Sequence, residues 1–248
     1  MNEFERGTRT QRRQRQQEEE LRQAKKRRFL LFTGGGLLLG LAILMVAVLT
    51  APRTPTADVP PAGPSGGSIV AQWGVTAEGR TLGESSAPVT IDLWEDFQCP
   101  ACKSWGDSQL PAVIAQDVAS GNARIVFHDF AFLGPDSERA ARAAWAAEQQ
   151  GFFWDYYATL YANQGAENSG VYSESRLIEM ARLTGLNEDR FREDLNSDAA
   201  KQAVANSNDQ AQQTGVNSTP TVVINGQNLS AASAEQIHDV VLQLSSAP

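Results

Sequence analysis

The sequence predicts an α/β domain with an all-helical insertion, preceded by a single transmembrane helix. Three observations lead to this prediction. An uncharged run near the N-terminus is long enough to cross a bilayer, and a Pro-rich stretch follows it. Beyond that stretch, the spacing of the apolar residues changes between the periods of strands and helices. A hydrophobic content of 42% with 20% charged residues is ordinary for a globular protein.

The N-terminal segment, residues 1–28, differs in charge from the rest of the chain. It holds ten basic and five acidic side chains, against 11 basic and 24 acidic ones in the other residues. Good helix formers occur here without an apolar stripe, so we expect a solvated cytoplasmic tail. The acidic remainder argues against nucleic acid as a partner.

Residues 29–50 form a run of 22 residues without a charged side chain. As a helix this run would measure about 33 Å, close to the hydrocarbon thickness of a bilayer. A buried core helix and a cleaved signal peptide are the alternatives, but the apolar region of a signal peptide is only about 7–15 residues long. Small residues around Ala51 leave cleavage open. We expect an uncleaved anchor in the lipid bilayer.

The orientation of the predicted anchor follows from its flanks. The basic cluster Lys25–Arg28 directly precedes the apolar run, and no comparable cluster follows it. The positive-inside rule then places the N-terminus in the cytoplasm and the later residues outside. Residues 51–68 are rich in Pro, Gly, Ser and Thr, so we expect a semi-extended tether that leads to a folded domain at residues 69–248.

The first half of that domain has the pattern of a β-α-β unit. We expect a small hairpin around residues 78–79 and strands at Val89–Trp94 and Arg124–Asp129. Between the two strands, a helix is predicted to begin at Pro100, to kink at Pro111 and to end at Gly121.

The second half begins with a helix-like region, about residues 137–214, which we assign to the insertion. A strand, a turn at Asn225–Gly226 and a return strand follow, and then a helix over Ser233–Leu244. Six aromatic residues of the insertion are expected to pack the joins between its helices rather than to bind a cofactor. They are Trp145, Phe152, Phe153, Trp154, Tyr156 and Tyr157.

The two cysteines of the chain, Cys99 and Cys102, lie where the first predicted strand runs into a helix. Residues i and i+3 of a helix share a face, with Cβ atoms about 5–6 Å apart, so a disulfide can close with slight adjustment. Unpaired backbone N–H groups and the helix dipole stabilise an anion at a helix N-terminus, which favours a reactive thiolate. This placement predicts a redox pair.

Other uses of the two cysteines are weaker interpretations. A structural disulfide is possible, but so short a loop constrains the unfolded chain very little. A zinc site would need two more ligands, and the histidines His128 and His238 share no ligand spacing with the cysteines. Two buried inert thiols would be unusual in an oxidising compartment. We expect His128, on a central strand, to be a satisfied or surface histidine and not a catalytic one.

Four stretches of the sequence carry a resemblance to a known family. They are "LGESSAPVTI", "DFQCPAC", "QQGFFWDYYATLY" and, about 120 residues after the cysteines, "STPTVVINGQ". From about Leu82 to the C-terminus, the chain resembles the DsbA-like thiol:disulfide oxidoreductases of the thioredoxin superfamily, especially the membrane-anchored bacterial kind. The resemblance implies a thioredoxin-like fold interrupted by a helical domain, which agrees with the order of elements predicted from the pattern.

The resemblance also implies roles for particular residues. Cys99 would be the exposed attacking cysteine and Cys102 the resolving one, while Pro100 and Ala101 would tune the pair. Residues Thr219–Pro220 match the loop whose proline is cis in this superfamily and faces the disulfide. That loop would expose backbone for pairing with an extended substrate. No metal and no organic cofactor is implied.

The acidic residues near the motif depart from the family pattern. Many relatives carry a buried glutamate six residues before the first cysteine, where this chain has Leu93. Strand alternation places Leu93 and Glu95 on one face and Asp92 on the other, so the sequence assigns no general base. Asp96, three residues before the motif, is as consistent with an exposed loop carboxylate as with a functional acid.

The predicted function is that of an extracytoplasmic thiol:disulfide oxidoreductase that introduces disulfides into exported proteins. Its partners would be the thiols and disulfides of those proteins and an integral-membrane redox partner that reoxidises the Cys99–Cys102 pair. Two alternatives remain open. A disulfide reductase or isomerase would use the same fold and motif, and a non-catalytic scaffold or binding module would retain the fold alone.

Overall fold

The computed structural model describes residues 67–246. The predicted tail at residues 1–28, the predicted anchor at residues 29–50 and nearly all of the predicted tether lie outside the described residues. Among residues 67–246, no helix combines the length and the apolar character that a membrane crossing requires.

The described residues contain one six-stranded sheet with the strand order β1-β2-β4-β3-β5-β6. Strand β3 lies at the centre, parallel to β4 and antiparallel to β5. This is the β-α-β and β-β-α arrangement that the sequence predicted. The strands are β1 Ala77–Glu78, β2 Thr81–Leu82, β3 Val89–Glu95, β4 Ala123–Asp129, β5 Thr221–Ile224 and β6 Gln227–Ser230.

The helices lie in four groups along the chain, and apart from the first, which was not predicted, their order agrees with the predicted order of elements. A short helix precedes the sheet, a helical segment connects β3 to β4, and five helices form the insertion between β4 and β5, with a last helix after β6. They are α1 Ile69–Trp73, α2 Pro100–Ser108, α3 Leu110–Val113, α4 Pro135–Glu148, α5 Phe153–Ala162, α6 Glu174–Thr184, α7 Glu188–Asn196, α8 Asp198–Gln213 and α9 Ala234–Ser245.

The segment between β3 and β4 breaks near Pro111, where a kink is predicted, and its last part is less regular than the predicted helix. Helix α2 ends at Ser108, and after Gln109 the chain continues as α3 and then as a π-helical turn, Ile114–Val118. Pro111 explains the break, because proline has no N–H group to donate and its ring displaces the carbonyl one turn earlier. Gly121, with a φ of 76°, ends the segment as predicted.

The core lies between the sheet and the helices that pack on it. Alternate residues of β3 are fully buried, namely Val89, Ile91 and Leu93. The aromatic residues of α5 also enter this core, where the rings of Phe153, Trp154 and Tyr157 contact Phe127 of β4. The prediction that these residues join the insertion helices was therefore incomplete, because α5 lies against the sheet and joins the insertion to it.

Helix α1 is fixed to the insertion as well. The backbone N–H of Ile69 donates to Oδ1 of Asp155 on α5 over 2.6 Å. The rings of Trp73 and Trp154 meet edge to face, with centroids 6.0 Å apart. The first described residues of the domain are thus held by α5.

Candidate active site

The cysteine motif lies at the junction of β3 and α2. Strand β3 ends at Glu95, and Cys99 is the N-cap residue of α2 with Pro100 in the first helical position. Cys99 is 8% exposed and Cys102 is fully buried, and both are free thiols in this structure. Cys99 is less exposed than predicted, because only an edge of the residue reaches solvent.

The predicted cis loop lies beside Cys99. The Thr219–Pro220 peptide bond is cis, and the Thr219 carbonyl oxygen is 3.5 Å from Cys99 Sγ. The hydroxyl oxygen of Thr219 is buried and has no hydrogen-bond partner. The loop and the cysteine thus share one surface although 120 residues separate them.

The two thiols have opposite acidities. The pKa of Cys99 is lowered to about 6, chiefly because the Cys102 thiol donates a hydrogen bond to it. Burial opposes this effect, and the backbone N–H groups of Cys102 and Ala101 add to it. The pKa of Cys102 is raised far above its ordinary value, mainly by burial and then by its hydrogen bond to Cys99. At neutral pH, Cys99 is therefore the thiolate and Cys102 the thiol.

The dipeptide between the cysteines acts through its backbone. Pro100 and Ala101 are both exposed at the start of α2. The N–H of Ala101 favours the Cys99 thiolate, whereas its methyl side chain has neither a charge nor a hydrogen-bond donor.

Glu95 is the ionisable residue that the sequence analysis did not assign to the site. It is fully buried, and its Oε2 accepts hydrogen bonds from the hydroxyls of Tyr157 and Tyr161, each over 3.0 Å. Burial raises the pKa of Glu95 to about 8, the two tyrosines counteract this rise, and the charge of Cys99 adds to it. The charge of Glu95 in turn raises the pKa of Cys102. A protonated carboxyl at neutral pH is thus electrostatically coupled to both cysteines.

Asp96 is buried, which excludes the exposed loop carboxylate, one of the two alternatives that the sequence left open. It is 1% exposed and accepts four hydrogen bonds. Two come from the N–H of Gln98 and the hydroxyl of Ser137, and two from the N–H groups of Phe132 and Leu133. This carboxylate therefore ties the motif to the loop after β4 and to the start of α4.

The insertion also holds the backbone of the motif. The side-chain amide of Gln164 donates to the carbonyl oxygens of Phe97 and Cys99 over 2.7 and 3.0 Å. The hydroxyl of Tyr172 donates to Phe97 as well, over 3.1 Å. Residues of the helical insertion thus fix the turn that leads from β3 into α2.

The two histidines lie elsewhere. His128 Nε2 is 2.8 Å from Asp92 Oδ1, and its ring stacks on Trp94 with centroids 4.3 Å apart, so this histidine is satisfied as predicted. His238 Nδ1 is 2.7 Å from Asp117 Oδ1. Within residues 67–246, His, Cys, Asp and Glu side chains form no group of three or more that could hold a metal ion.

A family model and several known proteins place the chain in one family. A family model described as thioredoxin matches residues 76–242. The chain is 32% identical to the probable disulfide bond formation protein D of Bacillus cereus over 151 residues, which cover 59% of this chain and 70% of that protein.

Solved structures show the same fold. A thioredoxin-like oxidoreductase from Silicibacter pomeroyi is 28% identical, with a TM-score of 0.58 over 68% of this chain and 92% of that chain. Oxidised BdbD from Bacillus subtilis is 22% identical, with a TM-score of 0.63 over 77% of this chain and 100% of that chain.

The acidity of Cys99 can be measured through its alkylation rate. We expect the rate with iodoacetamide to follow a pKa of about 6, because the thiolate is the nucleophile. Cys102→Ala removes the thiol that contributes most to this shift, so the midpoint should rise by about one pH unit. Mass spectrometry of the folded protein should find Cys102 unmodified. A wild-type midpoint near the roughly 8.5 of a free thiol would contradict the site described above.

Proposed function

The chain belongs to the thioredoxin family and is a protein thiol:disulfide oxidoreductase, and on this premise we propose that it introduces disulfides into exported proteins through Cys99 and Cys102. The observation that carries the proposal is the contrast in acidity between the two thiols. A thiolate at the edge of the surface and a buried thiol one turn away are the two roles that disulfide exchange requires.

The reaction begins with the pair oxidised. A client thiolate attacks Cys99 Sγ, the Cys99–Cys102 bond breaks, and Cys102 leaves with the electron pair. The result is a mixed disulfide between the client and Cys99. A second client thiolate then attacks the client sulfur of that bond, and Cys99 leaves as a thiolate. The client has lost two electrons and gained a disulfide, and the enzyme has gained both electrons.

The lowered pKa of Cys99 favours this direction. A stable thiolate is a good leaving group, so the last step is fast and the reduced enzyme is stabilised. Cys102 is a poorer leaving group, because its buried sulfur must take up a proton after the disulfide breaks. Glu95 is protonated at neutral pH and is coupled to Cys102, so we assign it the exchange of that proton, directly or through a water molecule.

Clients would bind beside Thr219–Pro220. This loop places a backbone carbonyl next to Cys99, and an extended client segment can pair with exposed backbone at such a position. Pro100 and Ala101 leave the approach open, because both are small and lie at the surface.

We place this reaction outside the cytoplasm, with the domain tethered to the membrane. The uncharged run at residues 29–50 and the basic cluster Lys25–Arg28 before it support this topology. A membrane-embedded disulfide donor would reoxidise the pair, and a tethered domain would meet such a partner without leaving the membrane surface.

A disulfide reductase or isomerase remains the second candidate, because the same residues can run the exchange in reverse. The reduction potential separates the two directions. A non-catalytic scaffold is disfavoured, because a binding module has no need of a cysteine with a pKa of about 6.

Trapping of mixed disulfides tests the assignment of the two cysteines. Cys102→Ser removes the resolving thiol, so adducts between Cys99 and client proteins should accumulate in the host envelope. Cys99→Ser is the matched control and should form none. Non-reducing gels followed by mass spectrometry measure both. Equal adduct formation by the two variants would overturn the assignment.

The reduction potential tests the proposed direction. A Cys99 pKa of about 6 lies between those of thioredoxin and DsbA, about 7 and 3.5. We therefore expect a potential between their values of about −270 and −120 mV, measured by equilibration with glutathione. Ala101→His adds a hydrogen-bond donor and should raise the potential. A value at or below that of thioredoxin would favour the reductase.

Protease accessibility tests the topology. Protease added to intact cells should digest the domain or cut within residues 51–68, while a tag on Met1 should stay protected by the membrane. Lysed cells provide the control, because there the tag should be cut. A mature chain that begins near Ala51, or a tag cleaved from outside, would refute the anchor.

A further inference from the structure

The two oxygens of the Glu95 carboxyl have different environments. Oε2 accepts from both Tyr157 and Tyr161, whereas Oε1 is buried and has no hydrogen-bond partner. Burial raises the pKa of both tyrosines well above their ordinary value, so both hydroxyls stay protonated and act as donors. With Oε2 occupied, Oε1 is the oxygen that can carry a proton.

We propose that Tyr157 and Tyr161 are positioning residues that keep the proton of Glu95 on Oε1 and set the pH range in which Cys102 attacks a mixed disulfide. This inference rests on the function proposed above. Tyr161 has a second acceptor, the Asp96 carbonyl oxygen at 3.3 Å, to which its hydroxyl can turn when Glu95 is neutral.

The step that the tyrosines control is the closing of the active-site disulfide. The Cys102 thiol gives its proton to Oε1 of Glu95, directly or through a water molecule, and the resulting thiolate attacks Cys99 Sγ. The bond between Cys99 and the other sulfur breaks, and that sulfur leaves with the electron pair. The carboxylate of Glu95 is the reactive form in this step, and the tyrosines keep their own protons throughout.

Gly106 of α2 gives independent geometric support. A Cβ atom at this position would lie 3.2 Å from the hydroxyl of Tyr157, so glycine leaves the space that this hydroxyl occupies. Both tyrosines line a cleft of about 310 Å³ between α2 and α5. Glycine is unfavourable inside a helix, and the close approach of Tyr157 explains its presence.

Other ionisable groups around Glu95 come from three elements. Helix α2 contributes Cys99 and Cys102, and at the cleft the pair Lys103 and Asp107, 2.8 Å apart. Asp129 of β4 is the register partner of Glu95 and pairs with Arg80 over 2.6 Å. Helix α5 contributes Tyr157 and Tyr161. The two tyrosines are the groups that donate hydrogen bonds to Glu95 in the described part of the chain.

The test measures the closing step as a function of pH. Reduced protein is mixed with excess glutathione disulfide and quenched with acid, and mass spectrometry follows the conversion of the glutathione adduct to the internal disulfide. The wild-type rate should rise with a midpoint near pH 8, where Glu95 becomes a carboxylate. Hydrogen bonds from the two tyrosines stabilise that carboxylate. Their loss should therefore raise the pKa of Glu95 and shift the increase in rate to higher pH.

We expect Tyr157→Phe and Tyr161→Phe each to move the midpoint upward by about one pH unit, which makes closing about tenfold slower at pH 7. Tyr156→Phe is the matched control, since this buried tyrosine of the same helix donates to the Leu177 carbonyl and not to Glu95. Gly106→Ala should also raise the midpoint, because its methyl, 3.2 Å from the Tyr157 hydroxyl, requires that hydroxyl to shift.

A direct titration separates this inference from the proposed function. NMR of ¹³C-carboxyl glutamate, with the Glu95 signal assigned through Glu95→Gln, reports the pKa of Glu95 whether or not the protein exchanges disulfides. An unchanged Glu95 pKa in Tyr157→Phe, Tyr161→Phe and Gly106→Ala would overturn the role of the tyrosines alone. Failure of the wild type to react with glutathione disulfide would overturn the proposed function instead, and the titration would still decide the role of the tyrosines.

Discussion

The hydrogen bonds that stabilise the Cys99 thiolate are the interaction on which the site depends. They exist because β3 runs into α2 with Cys99 at the N-cap, which brings the Cys102 thiol and the N–H groups of the first helical turn close to the sulfur. The same junction places Cys102 one turn below, out of contact with water. A change in where the helix begins would expose the second thiol and remove donors from the first.

The helical insertion is part of the redox site, because its side chains contact the residues around the two cysteines. It supplies the hydroxyls that donate hydrogen bonds to Glu95, the side-chain amide that donates to the Cys99 carbonyl and the serine hydroxyl that donates to Asp96. Two carboxylates that follow one another in sequence are buried because the insertion covers them. Asp96 is satisfied by four donors and fixes the backbone, whereas Glu95 keeps one oxygen without a partner and can exchange a proton.

This division explains what the sequence could and could not predict. The strands and the helix start at Pro100 follow from local patterns, and the structure reproduces them. The burial of Glu95 and Asp96 depends on tyrosine and serine side chains more than 40 residues away, so local patterns carry no sign of it. Strand alternation does place Leu93 and Glu95 on one face of β3. Which face packs against α2 depends on the tertiary structure, so it cannot be predicted from the alternation.

The attachment of α1 has a mechanical consequence. Ile69 is held by Asp155 and Trp73 by Trp154, so tension on the chain before Ile69 is received by α5 and not by the sheet. Helix α5 also carries the two tyrosines that contact Glu95. A pull from that end would therefore act on the helix that carries these two hydroxyls.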